Sequence, residues 1–218
     1  MPKLTLKPLL VLVLLAAAGL SLHGDVAETR KLAEAGDAKA QVDLGRLYVQ
    51  GKKVPQDFVE AVKWFRQSAA QGNAEAEFFL ALSYDNGQGV SQDHAEAMNW
   101  SRRSAERGFA LAQFTVGMKC QYGINMPKDQ AEGRKWLHLA AEQGQPDAQF
   151  ELGLIYSVGD GVSQDMVEAY VWFDLAASNN GYEAALGELE EMEPKMTREQ
   201  LAEAKRRIRE YFDRPSKR

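Results

Sequence analysis

Small, apolar and turn-forming residues recur along this chain at a fixed step of 36. Ala40, Ala76, Ala112 and Ala148 fall in phase, and so do Leu44, Leu80, Val116 and Leu152. Trp64, Trp100, Trp136 and Trp172 keep the same spacing, as do Asp57, Asp93, Asp129 and Asp165, and Gly51, Gly87, Gly123 and Gly159. Four units in unbroken phase predict an array in which each unit buries its apolar face against its neighbours.

Each unit contains the pattern of two helices. In the first, near 38–50, Ala40, Leu44, Gly45 and Tyr48 follow a helical spacing. Asp37 and Asn73 are good N-caps, Pro146 takes a first-turn position in the fourth unit, and Gly51 offers the left-handed stop. The loops GKKVPQD, GQGVSQD, GINMPKD and GDGVSQD break the helix. The second helix is predicted to open with capping boxes, Asp57 with Glu60, Asp93 with Glu96, Asp129 with Glu132 and Asp165 with Glu168. It ends at Gly72, Gly108 and Gly144, and at Asn180-Gly181 with one extra residue in the last unit.

The ends depart from the pattern. Val26 to Ala35 is in phase with a second helix, which gives a capping half-repeat over 25–37. Four repeats follow at 38–73, 74–109, 110–145 and 146–181. Capping helices are predicted over 182–213, with Ala185 and Leu189 keeping the phase, Pro194 as a break and a capping box at Thr197 and Gln200; a tail follows at 214–218.

Composition narrows the function. The 218 residues carry a formal net charge of -5, which disfavours nucleic acid as a partner. Four Trp, seven Tyr and nine Phe are enough for a real core. A single cysteine, Cys120, makes neither an internal disulfide nor a cysteine metal cage. Residues 1–24 have the layout of a secretory signal peptide: Lys3 and Lys7, an apolar run from Leu9, and small residues at Ala16 to Ala18. The run is shorter than the ~20 residues of a spanning helix, so the expected location is periplasmic or secreted. Membrane attachment is expected only if that signal stays uncleaved.

Ala148, Leu152, Gly153, Tyr156, Gly159, Gly161, Val162, Asp165, Ala169, Trp172, Ala176 and Ala177 together resemble the Sel-1-like repeat, a relative of the tetratricopeptide repeat. The resemblance covers about residues 26 to 213. Lys53 and Asn125 replace a loop glycine, Gly133 replaces an alanine, and Cys120 replaces the tyrosine. It implies an all-α fold, a right-handed α/α superhelical solenoid of four helix-pair repeats with capping helices at both ends. It also implies a non-catalytic adaptor of the bacterial envelope. A cysteine-rich subgroup has been linked to penicillin binding and β-lactamase activity; this chain lacks its paired cysteines. A cell-wall ligand binder or hydrolase stands as the alternative.

In such arrays the first helices line the concave side. Their stripe away from the packing positions reads Lys39, Asp43, Arg46, Gln50; Glu75, Phe79, Leu82, Asn86; Leu111, Thr115, Met118, Tyr122; Asp147, Glu151, Leu154, Val158. Phe79, Leu82, Leu111, Met118, Tyr122 and Leu154 make an apolar row, read either as a groove for a partner protein's segment or as packing between neighbouring units. Nothing asks for catalysis, a cofactor or a metal. The phased carboxylates read as caps, the tryptophans as packing against Ala61, Ala97 and Ala169, Cys120 as a buried thiol, and His23, His94 and His138 as isolated. The expected partner is an unidentified envelope or host protein.

Overall fold

The computed structural model describes residues 25–178 and 182–213. The signal-peptide expectation, the Asn180-Gly181 turn and the tail lie outside them. Among the described residues the chain is all-helical, with eleven α-helices, a 3-10 turn at Glu193–Lys195 and no strand. The helices are α1 (Val26–Glu34), α2 (Ala38–Gln50), α3 (Phe58–Ala70), α4 (Ala74–Asn86), α5 (His94–Glu106), α6 (Ala110–Tyr122), α7 (Gln130–Glu142), α8 (Pro146–Val158), α9 (Met166–Ser178), α10 (Glu183–Met192) and α11 (Arg198–Phe212).

Their boundaries follow from local chemistry. Asp37 accepts from the Ala40 amide at 2.7 Å and Asn73 from Ala76 at 3.0 Å, while Gln145 serves α8 by accepting from Asp147 and Ala148. Phe109 caps α6 with no side-chain hydrogen bond. The first helices end at Gly51, Gly87, Gly123 and Gly159, all left-handed, where a side chain would be strained. One expectation is corrected at the second helices. Each aspartate accepts from the amide three residues on, as predicted. The returning half of the box is absent at these four caps, because the aspartate amides already donate to the carbonyls of Tyr48, Tyr84, Cys120 and Tyr156. Their glutamates are thereby released for other partners. At Thr197, where no such carbonyl is engaged, the full box with Gln200 forms.

The chain folds as two compact units, one ending at Trp100 and one starting at Ser101, within α5. In unit 1, α1 packs on α2, α2 on α3 and α3 on α4. Ala33, Ala40, Leu44 and Leu47 form a buried cluster against which Tyr48 and Trp64 pack. The buried Gln41 donates to the Ala33 carbonyl at 3.1 Å and accepts from Gln71 at 2.8 Å, tying one helix pair to the next. Arg30 and Arg66 donate to the hydroxyls of Tyr48 and Tyr84, each at 3.0 Å.

Unit 2 repeats this grammar. Its helices pack in succession, α6 on α7, α7 on α8 and α8 on α9, and α9 carries both α10 and α11. Gln113 and Gln149 donate to the Ala105 and Ala141 carbonyls, each at 3.0 Å, and Gln143 donates to Gln113 at 2.7 Å. His138 stands where unit 1 has arginine and meets the Tyr156 hydroxyl at 3.1 Å. Cys120 removes the hydroxyl that Arg102 would meet, and Arg102 pairs with Glu132 at 2.9 Å instead. Lys205 of the basic final helix approaches Glu193 of the acidic stretch before it at 3.9 Å. Arg206 and Arg207 turn to Glu203 within their own helix, and Arg207 reaches Glu168 of α9 at 3.1 Å.

Three of the four helix pairs close on a glycine, at Gly45, Gly117 and Gly153, with Ala81 in phase in the second repeat. A Cβ at Gly153 would lie 2.5 Å from the buried Phe173 ring, and one at Gly117 2.8 Å from Leu137. Gly187 of α10 faces open space. Gly153→Ala is therefore expected to cost about 1–3 kcal/mol through overpacking. Gly187→Ala is expected to gain up to ~1 kcal/mol from helix propensity. Thermal unfolding followed by circular dichroism should move the two midpoints in opposite directions.

Candidate partner-binding faces

The structure separates the residues of the expected apolar row. Phe79, Leu82 and Met118 are buried, none more than 5% exposed, so for these three the packing alternative holds. Phe79 stacks on Phe65 with ring centres 4.9 Å apart. Leu111 and Leu154 are half-buried, and Tyr122 is 42% exposed. Among the described residues Val158, part of the stripe but not of the row, is the most open large apolar side chain at 71%.

In unit 1 the stripe is electrically closed. Arg46, itself buried, lies 3.6 Å from Asp43 and 3.4 Å from Glu75, with its guanidinium 5.8 Å from the centre of the Phe79 ring. Lys39 adds a second contact to Asp43 at 3.5 Å. Both carboxylates therefore have a cation of the chain's own.

In unit 2 the same stripe is built differently. Glu151 stands in register with Asp43, and Leu154 with Arg46, so the internal cation is gone. The Tyr122 hydroxyl donates to Glu151, and the Tyr182 hydroxyl donates to Asp147 at 2.9 Å. Glu151 is only 8% exposed, and burial pushes its carboxyl above the ordinary range, with the nearby Asp160 charge acting in the same sense. Burial and the Glu151 charge likewise push the Tyr122 hydroxyl well above its usual range. Asp160 accepts from Gln121 at 3.1 Å and Gln130 at 2.7 Å, and Lys128 approaches it at 3.8 Å. The face thus combines an exposed aromatic edge, open aliphatic carbon and one desolvated carboxylate, Glu151. Sequence reasoning recorded Asp147 and Glu151 on the stripe but overlooked their tyrosine partners. The separation of 29 residues in both Arg46–Glu75 and Tyr122–Glu151 was the available signal.

The remaining candidates have structural roles. Trp136 and Trp172 donate their indole N–H to Glu132 and Glu168, the glutamates released from capping, at 3.3 and 2.8 Å. Glu60 holds Lys63 at 2.7 Å instead. Asp57, Asp93, Asp129 and Asp165 are all occupied as caps. Cys120 is buried and its thiol is pushed up to about 11, chiefly by burial and then by Glu132, so it is not a thiolate at neutral pH. Among the described residues no group of three or more His, Cys, Asp or Glu could hold a metal ion, and no helix is long and apolar enough to cross a membrane.

Capped helix pairs of constant length, tied by buried glutamines and in three of four cases closing on glycine, define a helical-repeat protein. The family model for the Sel1 repeat matches residues 38–73, 74–109, 110–145 and 146–181, and the chain belongs to that family. It is similar to the crystal structure of a Sel1 repeat protein from Oxalobacter formigenes, with a TM-score of 0.68 and 30% identity over 76% of this chain and 74% of that one. It is also similar to c5321, described as a protective antigen present in uropathogenic Escherichia coli strains, with a TM-score of 0.51 and 30% identity over 86% of this chain and 48% of that one. Among curated proteins it is 40% identical over 60 residues to the secretory immunoglobulin A-binding protein EsiB of Escherichia coli O6:H1; this covers 28% of this chain and 12% of that protein's length. Sel1 repeats are in general protein-interaction scaffolds without catalytic function.

The Glu151 carboxyl gives a pH test. Its folded pKa is raised, so folding takes up a proton between the ordinary carboxylate value and the raised one. Its favourable contribution is complete below the ordinary value and is lost as pH rises through the folded one. Gln keeps an acceptor for Tyr122 without the charge. Glu151→Gln is expected to melt higher than wild type at about pH 7, with the advantage shrinking toward about pH 4. Thermal melts across that range check it, and a variant less stable at neutral pH contradicts it.

Proposed function

We propose that this chain is a non-catalytic adaptor, exported through its N-terminal signal to the periplasm or beyond. There it holds a segment of an envelope or host protein on the first-helix face of unit 2. The observation that carries this is the composition of that face. Tyr122 and Val158 stand open to solvent beside Glu151, a carboxylate whose burial disfavours its charge. Exposed aromatic and aliphatic carbon supplies contact area for a polypeptide, and polar groups around it supply orientation. Leu111 and Leu154, half-buried on the same stripe, extend the apolar area.

Two relatives support an extracytoplasmic role. One is named for binding immunoglobulin A and the other is described as a protective antigen. The cell-wall hydrolase alternative gains nothing from Cys120, whose thiol is buried and held protonated.

A photo-crosslinking amino acid placed at Val158 in the native host is expected to trap a discrete partner. The same probe at Lys63, on the outer side of α3 in unit 1, is expected to trap none. Leu154→Gln should abolish the adduct while leaving the helical spectrum unchanged. Equal trapping at both positions, or an adduct indifferent to Leu154→Gln, overturns the proposal. An uncleaved chain retained in the cytoplasm overturns its export.

A further inference from the structure

The two units write the same stripe in two electrostatic forms. Unit 1 contains the complete arrangement: Arg46 between Asp43 and Glu75, against the Phe79 ring. In unit 2 Glu151 stands where Asp43 does, but Leu154 replaces Arg46 and Asp147 replaces Lys39, so both cations of the unit 1 stripe are missing there. Asp147 and Glu151 lie one turn apart on α8, held by Tyr182 on one side and Tyr122 on the other. These tyrosines donate hydrogen bonds but neutralise no charge. Asp160 adds a third carboxylate whose field acts on Glu151.

A second observation is independent of these charges. Gln121 is fully buried, its Nε2 donates to Asp160, and its Oε1 has no hydrogen-bond partner. A buried carbonyl oxygen without a donor is costly unless something supplies one. The acceptors Glu151 and Asp147, each beside a tyrosine hydroxyl, match a planar donor-only cation. The chain itself places such a cation at the register-equivalent position in unit 1.

We propose that the unit 2 face is a receptor for an arginine side chain of a partner polypeptide, with Glu151 and Asp147 as the accepting carboxylates and Tyr122 and Tyr182 as its flanking walls. The guanidinium takes in the partner's name the role that Arg46 takes within unit 1. Arginine is favoured over lysine because its fork of N–H groups serves two acceptors at once and its plane stacks on aromatic rings. This rests on the proposed function and names the feature by which the partner is recognised.

The probes are seven-residue serine–leucine peptides carrying at their centre arginine, lysine, citrulline or norleucine, titrated into the chain without residues 1–24 and read by fluorescence anisotropy. The arginine peptide is expected to bind at least ~10-fold more tightly than the citrulline peptide, which keeps the shape without the charge. Glu151→Gln and Asp147→Asn are expected to erase that preference, whereas Glu188→Gln on α10 leaves it intact. Circular dichroism melts of each variant separate lost recognition from lost folding. Equal binding of all four peptides overturns the arginine receptor, as does equal binding of the lysine and arginine peptides. If no peptide binds while the Val158 adduct still forms in the host, the receptor idea falls and the adaptor stands. If both fail, both fall.

Discussion

Register between one helix pair and the next is the constraint on which the rest of this structure depends. A helix pair cannot bury its apolar face alone, so each must lie against its neighbour at a fixed offset. The chain enforces that offset with a buried side-chain amide. Gln41, Gln113 and Gln149 each donate to the carbonyl eight residues earlier, on the preceding helix. A buried amide left without this acceptor is expensive, so sliding one pair past the next is opposed by more than lost packing.

Once the offset is set, side chains meet at fixed separations. Residues 29 apart face each other on successive first helices, which brings Arg46 to Glu75 in one unit and Tyr122 to Glu151 in the other. Residues 18 apart join a second helix to the following first helix, giving Arg30 to Tyr48, Arg66 to Tyr84 and His138 to Tyr156. The scaffold fixes which positions meet, and the residues written there decide what the meeting does. Arginine at position 46 closes the stripe, and leucine at position 154 leaves it acidic.

The helices, their glycine stops and the aspartate caps were legible in the sequence because they depend on residues a few positions apart. The half-formed capping boxes were not, since they turn on whether the Asp57 amide is taken by the Tyr48 carbonyl, a tertiary contact. The apolar row misled for a related reason. Phe79 lies on the stripe by helical periodicity, yet Phe65 on the neighbouring helix covers it. Periodicity gives the direction in which a side chain leaves its helix but not what stands opposite. Glu151 was read as a stripe residue, and its burial and tyrosine partner emerged only with the offset between repeats.

The central claim is that the Glu151 carboxylate is held desolvated and short of a cation, ready for one from outside. Carbon-13 NMR of its carboxyl during a pH titration reports this directly. The titration is predicted to lie above the ordinary glutamate value of about 4.3, and to move down when the arginine peptide is added. An ordinary midpoint that the peptide leaves unchanged would contradict it.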